Sequence, residues 1–169
     1  MKELIFFAIS VALIFSACSM EKAGNFNLYL TDLPVDDAEE IWVTISEINV
    51  YKEEEGFITL STKTMEYDLL ELRNTEVLML EAELSKGTYT QIRLVVDAGQ
   101  IVIGGESIPM TVPSSEIKIP IVFNVMEDGT TEVLLDFDAE QSILLIQAGA
   151  SQQFILRPVI IVKNISYSR

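Results

Sequence analysis

Five aspartates carry the most suggestive chemistry in this chain. Asp32, Asp36 and Asp37 crowd into "TDLPVDDAEE", and Asp136 and Asp138 close "VLLDFD". A calcium ion takes about six to eight oxygen ligands, so a site requires both acidic stretches to converge. The EF-hand spacing is absent. The preferred reading is conformational: aspartate opens turns by accepting hydrogen bonds from nearby backbone, and Pro34 pre-sets the turn. Asp136 and Asp138 also have the make-up of a glycosidase carboxylate pair. Alternate strand positions always share a face at about 6–7 Å, however, so "DFD" alone carries no catalytic meaning. Ser114 and Ser115 near Lys118 lack the context of a Ser–Lys nucleophile. The chain has no histidine, which removes His-based triads, His metal sites and the commonest general base. The expectation is a protein that is not an enzyme and carries no cofactor, with Ca²⁺ the one metal its residues would suit.

Three aromatic residues form a second candidate set. Trp42, the only tryptophan, has the opposite parity to Ile41, Val43 and Ile45, and Tyr29 and Tyr51 also fall on the polar-face parity of their segments. Aromatic rings exposed on a sheet could stack against sugar rings. The preferred alternative for Trp42 is packing beneath a loop or helix, because tryptophan is highly buried on average.

The only cysteine, Cys18, ends the opening "MKELIFFAISVALIFSAC". Lys2 supplies a positive start, Leu4 to Phe15 is apolar, and Ser16 and Ala17 are small, which is the layout of a secretory signal too short to span a bilayer permanently. Small residues followed at once by Cys resemble a bacterial lipobox, with Phe15 standing where leucine is usual. That resemblance implies a diacylglycerol on Cys18, cleavage before it and acylation of the new terminus. A buried thiol or an intermolecular disulfide are the alternatives, but a free thiol at this junction would be exposed and oxidisable. Acyl chains anchor at about 0.8 kcal/mol per buried CH₂. The expected organisation is a signal peptide over residues 1–17, a short tether over 18–23 and one domain over 24–169, with no disulfide. Ser19 lacks the aspartate-based retention signal, which implies the outer membrane if the cell has one.

Acidic residues number 26 against 11 basic ones, and the net charge of −15 survives removal of the signal because Lys2 and Glu3 leave together. Such a surface repels nucleic acid and anionic lipid, and favours cations or basic partners. A domain of this size buries roughly 68–70% of its unfolded surface and needs no staples.

The elements that must position these residues read as strands. "NFNLYLT" alternates with Phe26, Leu28 and Leu30 on one face. "IWVTISEINVY" changes parity near Ser46 and Glu47, the signature of a bulge. "KEEEG" reads as a hairpin turn into "FITLST". "TYTQIRLVVD" and "EIKIPIVF" alternate again, with Pro120 placing the latter at an edge. "QIVI" and "SIPMTVP" form a short hairpin around Gly104 and Gly105, and "MEDGTTE" turns into "VLLDFD". "QFILRPVIIVKNI" is nearly all apolar and reads as central, with Pro158 marking a bulge or edge. Asn74 or Thr75 could cap a short helix over "EVLMLEAEL". About eight strands at this spacing predict an all-β antiparallel sandwich with at most one short helix.

The phrases "LYLTDLPVDDAEEIWVTISEINVY", "YDLLEL", "LSKGTYTQIRLVV", "IPMTVPSSEIKI", "LLDFDAEQSI" and "LRPVI" occur in this order. Together they closely resemble an uncharacterised family of bacterial lipoproteins known only as a domain of unknown function, DUF4382. The resemblance runs from about Gly24 to Val162 and implies a β-sandwich of immunoglobulin or prealbumin type. It implies no activity, substrate or cofactor. The resulting expectation is a lipid-anchored, non-catalytic cell-envelope sandwich that binds a glycan, protein or surface polymer. The alternative is an assembly subunit that pairs through exposed strand edges, and a glycoside or peptide hydrolase is the least favoured reading.

Overall fold

The computed structural model describes residues 22–32, 38–148 and 151–169. Cys18, Asp36, Asp37, the signal segment and most of the tether lie outside them. Twelve strands and one helical turn follow in chain order: β1 (Ala23–Asp32), β2 (Glu40–Lys52), β3 (Gly56–Ser61), β4 (Met65–Asp68), β5 (Val77–Ser85), β6 (Gly87–Ile103), β7 (Glu106–Met110), β8 (Glu116–Val125), β9 (Thr130–Phe137), α1 (Ala139–Ser142), β10 (Ile143–Ala148), β11 (Ser151–Leu156) and β12 (Ile160–Ser168). The fold is an all-β sandwich. A four-stranded sheet runs β12-β9-β1-β5. A six-stranded sheet runs β3-β2-β6-β7, with β4 also paired to β2 and β8 to β6. Ladder pairing among the described strands is antiparallel except between β1 and β9, with isolated parallel bridges at Asp32–Arg73 and Thr111–Ile155.

Alternation decides which side chains meet between the sheets. Phe26, Leu28 and Leu30 of β1 are fully buried, as are Val133, Leu135 and Phe137 of β9. They face Ile41, Val43 and Ile45 of β2 and Ile92, Leu94 and Val96 of β6, which are equally buried. Phe26 stacks on Phe123 of β8 at 5.1 Å between centroids, and Phe123 stacks on Tyr89 of β6 at 5.1 Å. This aromatic column joins the two sheets.

Several sequence readings hold. The register of β2 against β6 slips between Ile45 and Glu47, where the bulge is expected. β2 and β3 form the expected hairpin. β8 pairs only with β6, so Pro120 does sit on an edge strand.

Other readings are corrected. "EVLMLEAEL" is strand β5, not a helix. It pairs along β1, and a register shift opposite Leu28 and Tyr29 breaks its apolar alternation, which explains the undecided spacing. The helical turn lies instead at Ala139–Ser142. "TYTQIRLVVD" and "QIVI" are one strand, β6. "QFILRPVIIVKNI" is not a central strand. Pro158, which has no N–H to give a ladder, separates β11 from β12. β12 lies at the edge of the four-stranded sheet, with Ile161 exposed. Among the described residues, no helix is long and apolar enough to cross a membrane.

Candidate functional site

β2 carries aromatic side chains to the outer face of the six-stranded sheet at both of its ends. Before the bulge, Ile41, Val43 and Ile45 point into the core, so Trp42 and Thr44 point outward. After it, Ile48 and Val50 point inward, so Tyr51 again faces outward.

At the Trp42 end an open groove of about 220 Å³ crosses three strands. Trp42 and Thr44 of β2, Glu66 of β4, and Gly99 and Gln100 of β6 line it. The register sets this arrangement: Trp42 lies opposite Gln100, and Thr44 opposite Glu66. Trp42 is half-buried and lines this groove. Its Nε1 donates to Glu40 Oε2 at 2.6 Å, which fixes the indole and satisfies its only polar atom. Gln100 Oε1 accepts from Ser107 Oγ at 3.0 Å, which leaves the amide nitrogen as a donor. A Cβ at Gly99 would point to the core side and displace the flexible ends of Leu156 and Met110, whose Cδ2 and Cε it would meet at 2.6 Å and 2.9 Å.

At the Tyr51 end, the ring meets Phe57 of β3 edge-on at 4.9 Å. Phe57 is 46% exposed. The Arg93 guanidinium lies 3.8 Å from its ring centroid, a cation–π contact. Arg93 also donates to Glu116 at 3.0 Å and to Gln91 at 3.2 Å. Asn49, Thr59 and Glu47 hydrogen-bond to one another beside Tyr51 along this face.

The structure separates the third aromatic from this set. Tyr29 belongs to β1, on the outer face of the opposite sheet. There it lines a shallow hollow with Glu76, Glu132, Leu134, Asn164 and Ser166.

The aspartates come together only in part. Parallel pairing of β1 with β9 sets Asp32 opposite Phe137 and Thr31 opposite Asp136, so both carboxylates lie at one end of the sandwich, and both are buried. Asp32 Oδ1 accepts from the Ala139 N–H at 3.2 Å. Asp138 is the N-cap of α1, its Oδ1 accepting from the Gln141 N–H at 2.9 Å. Asp136 pairs with Lys163 at 3.4 Å. Asp138 therefore caps α1 locally, and Asp32 holds the same β9–α1 junction from a distant strand. Among the described residues, no group of three or more acidic or thiol side chains is placed to hold a metal. Ser114 and Lys118 are each engaged by Glu116, the serine hydroxyl on its carbonyl and the ammonium on its carboxylate.

Sequence reading missed Glu66, Gln100, Phe57 and Arg93. Phe57 and Arg93 did carry a signal, because each falls on the outward parity of its strand. Glu66 and Gln100 carried none, since only cross-strand register brings them to Trp42.

A family model described as a domain of unknown function, DUF4382, matches residues 23–158. No curated protein and no solved structure matches the chain significantly.

Proposed function

We propose that this chain, which belongs to the DUF4382 family, is a lipid-tethered, non-catalytic module of the bacterial cell envelope. It binds a glycan or surface polymer on the outer face of its six-stranded sheet. One observation carries the binding reading: Trp42 lines an open groove between polar side chains of neighbouring strands. A large ring that is fixed at its edge and lines a groove costs little entropy to use in binding. Support for the tether comes from the apolar run that ends in Ser16, Ala17 and Cys18. In a cell with two membranes, Ser19 after the cysteine favours the outer one. The net charge of −15 argues against nucleic acid as a partner.

The test uses the full chain in detergent micelles, immobilised and exposed to envelope polysaccharide from the same cells. Capture should fall sharply in a Trp42→Ala/Tyr51→Ala double variant that keeps its β-sheet circular dichroism. Equal capture by the two proteins would remove the outer face from consideration.

A second reading, assembly with another subunit, rests on the β10–β11 hairpin. β10 pairs only with β11, and Leu144, Leu145 and Ile146 are 39%, 48% and 44% exposed. Strand β10 carries no charge to blunt its open edge, whereas β5 carries Glu81 and Glu83 and β8 carries Glu116, Lys118 and Pro120.

A further inference from the structure

The Trp42 groove has a make-up that discriminates between classes of sugar. Its aromatic wall is the indole of Trp42, held at the edge by Glu40. Its polar lining is the Glu66 carboxylate, the Thr44 hydroxyl and the Gln100 amide, with backbone at Gly99. Among the described residues, no lysine or arginine lines it. From this we infer that the groove takes a single ring of a neutral or amino sugar within a longer glycan, and rejects uronic acids and phosphorylated sugars. The inference rests on the ligand-binding reading above.

Three features carry it. A pyranose ring presents an apolar C–H face and a rim of hydroxyls, which suits one aromatic wall beside hydrogen-bonding side chains. The indole has its N–H already committed, so it offers a π-face, which attracts groups of partial positive charge such as C–H. Carboxylates accept hydrogen bonds from hydroxyl or ammonium donors, and these charge-assisted bonds are stronger than neutral ones. The Gln100 amide nitrogen supplies a donor for a ring or hydroxyl oxygen.

Charge then excludes the acidic sugars. A uronate or phosphate would enter a groove lined by Glu66, on a chain of net charge −15, with no lysine or arginine among the described lining residues to receive it. Like charges brought together at an interface suppress the wrong partner. An amino sugar's ammonium meets the opposite situation and gains from the Glu66 carboxylate.

Because Trp42 is the only tryptophan, its emission reports on the groove directly. The full chain in detergent micelles is titrated with cello-oligosaccharides as neutral probes, chitosan oligosaccharides as amino probes and oligogalacturonate as an acidic probe. The expected result is a saturable change in emission with a neutral or amino probe and none with oligogalacturonate. By calorimetry, Gln100→Ala and Trp42→Phe should each bind that sugar about tenfold more weakly. Saturable binding of oligogalacturonate at the groove would overturn the inference, as would unchanged affinity in both variants. Silence with all three probes would overturn it too. In that case capture of envelope polysaccharide separates the two levels. Capture that is lost in the Trp42→Ala/Tyr51→Ala variant leaves the outer-face reading standing, and capture that is unchanged removes both.

Discussion

Trp42 and Tyr51 share one face of β2 although an odd number of positions separates them. On a regular strand they would point to opposite sides of the sheet. The register shift between Ile45 and Glu47 absorbs one residue and restores the parity. The core keeps Ile41, Val43 and Ile45 before the bulge and Ile48 and Val50 after it, so both aromatics are left outside. Deleting Ser46 would set Ile45 beside Glu47 and leave a regular strand in which both aromatics still face outward.

Cys18 is expected to be the membrane tether. Cells that express Cys18→Ser should release the protein from the membrane fraction or accumulate an unprocessed form. A variant that is processed and membrane-bound as before would refute the lipobox reading.

The buried aspartates are expected to act through backbone hydrogen bonds and not through a metal. Asp32→Ala leaves the Ala139 N–H without its acceptor and should lose about 1–3 kcal/mol. Asp138→Ala removes the cap of α1 and should lose about 0.5–2 kcal/mol. Thermal melts of both variants and the parent, in Ca²⁺, in EDTA and in sodium at matched ionic strength, provide the check. A saturable stabilisation that only Ca²⁺ produces, and that Asp32→Ala abolishes, would establish a calcium site instead.

The β10–β11 hairpin separates binding from assembly. Leu145 is 48% exposed, so Leu145→Lys should change stability by no more than about 0.5 kcal/mol. Any self-association of the parent through this edge should fall in the variant, because a charge blocks strand-to-strand pairing. Sedimentation over a range of protein concentrations measures it. A large loss of stability would mean that the hairpin packs more tightly than its exposure indicates.

Tyr67 is expected to make stability fall at alkaline pH. Burial disfavours its phenolate and raises its pKa above the ordinary value of 10.0. The unfolded chain therefore ionises first as pH rises. The stabilisation is complete below the unfolded value and is lost as pH climbs towards the folded one. Denaturant melts from pH 8 to 11 should show a decline beginning near pH 10, and Tyr67→Phe should make that decline shallower. An identical alkaline profile in the variant would assign the loss to other groups.

Much of this architecture was legible because it is written in short-range alternation. Phe26, Leu28 and Leu30 announce β1 without reference to any other segment, and the parity change at Ser46 announces the bulge. Proline chemistry placed Pro120 at an edge for the same local reason, since an imino nitrogen cannot donate to a ladder. Where the local pattern was itself irregular, as in "EVLMLEAEL", the reading failed. A register shift there disguises the period, and the pairing with β1 that resolves it lies far away in sequence.

The sequence by itself determined that the chain is all-β and which residues of β1, β2, β6, β8 and β9 face the core. These follow from the two-residue period of a strand. Only the tertiary structure decided that Trp42 lies beside Gln100 and near Glu66, that Tyr51 meets Phe57 under Arg93, and that Tyr29 belongs to the opposite sheet. It also decided that β1 pairs in parallel with β9 and so brings Asp32 to Ala139. Apart from the Tyr51–Phe57 contact within one hairpin, each depends on segments distant in the chain. Such contacts are set by strand order and register, which depend on how two whole sheets satisfy one shared core, and no local period encodes that choice.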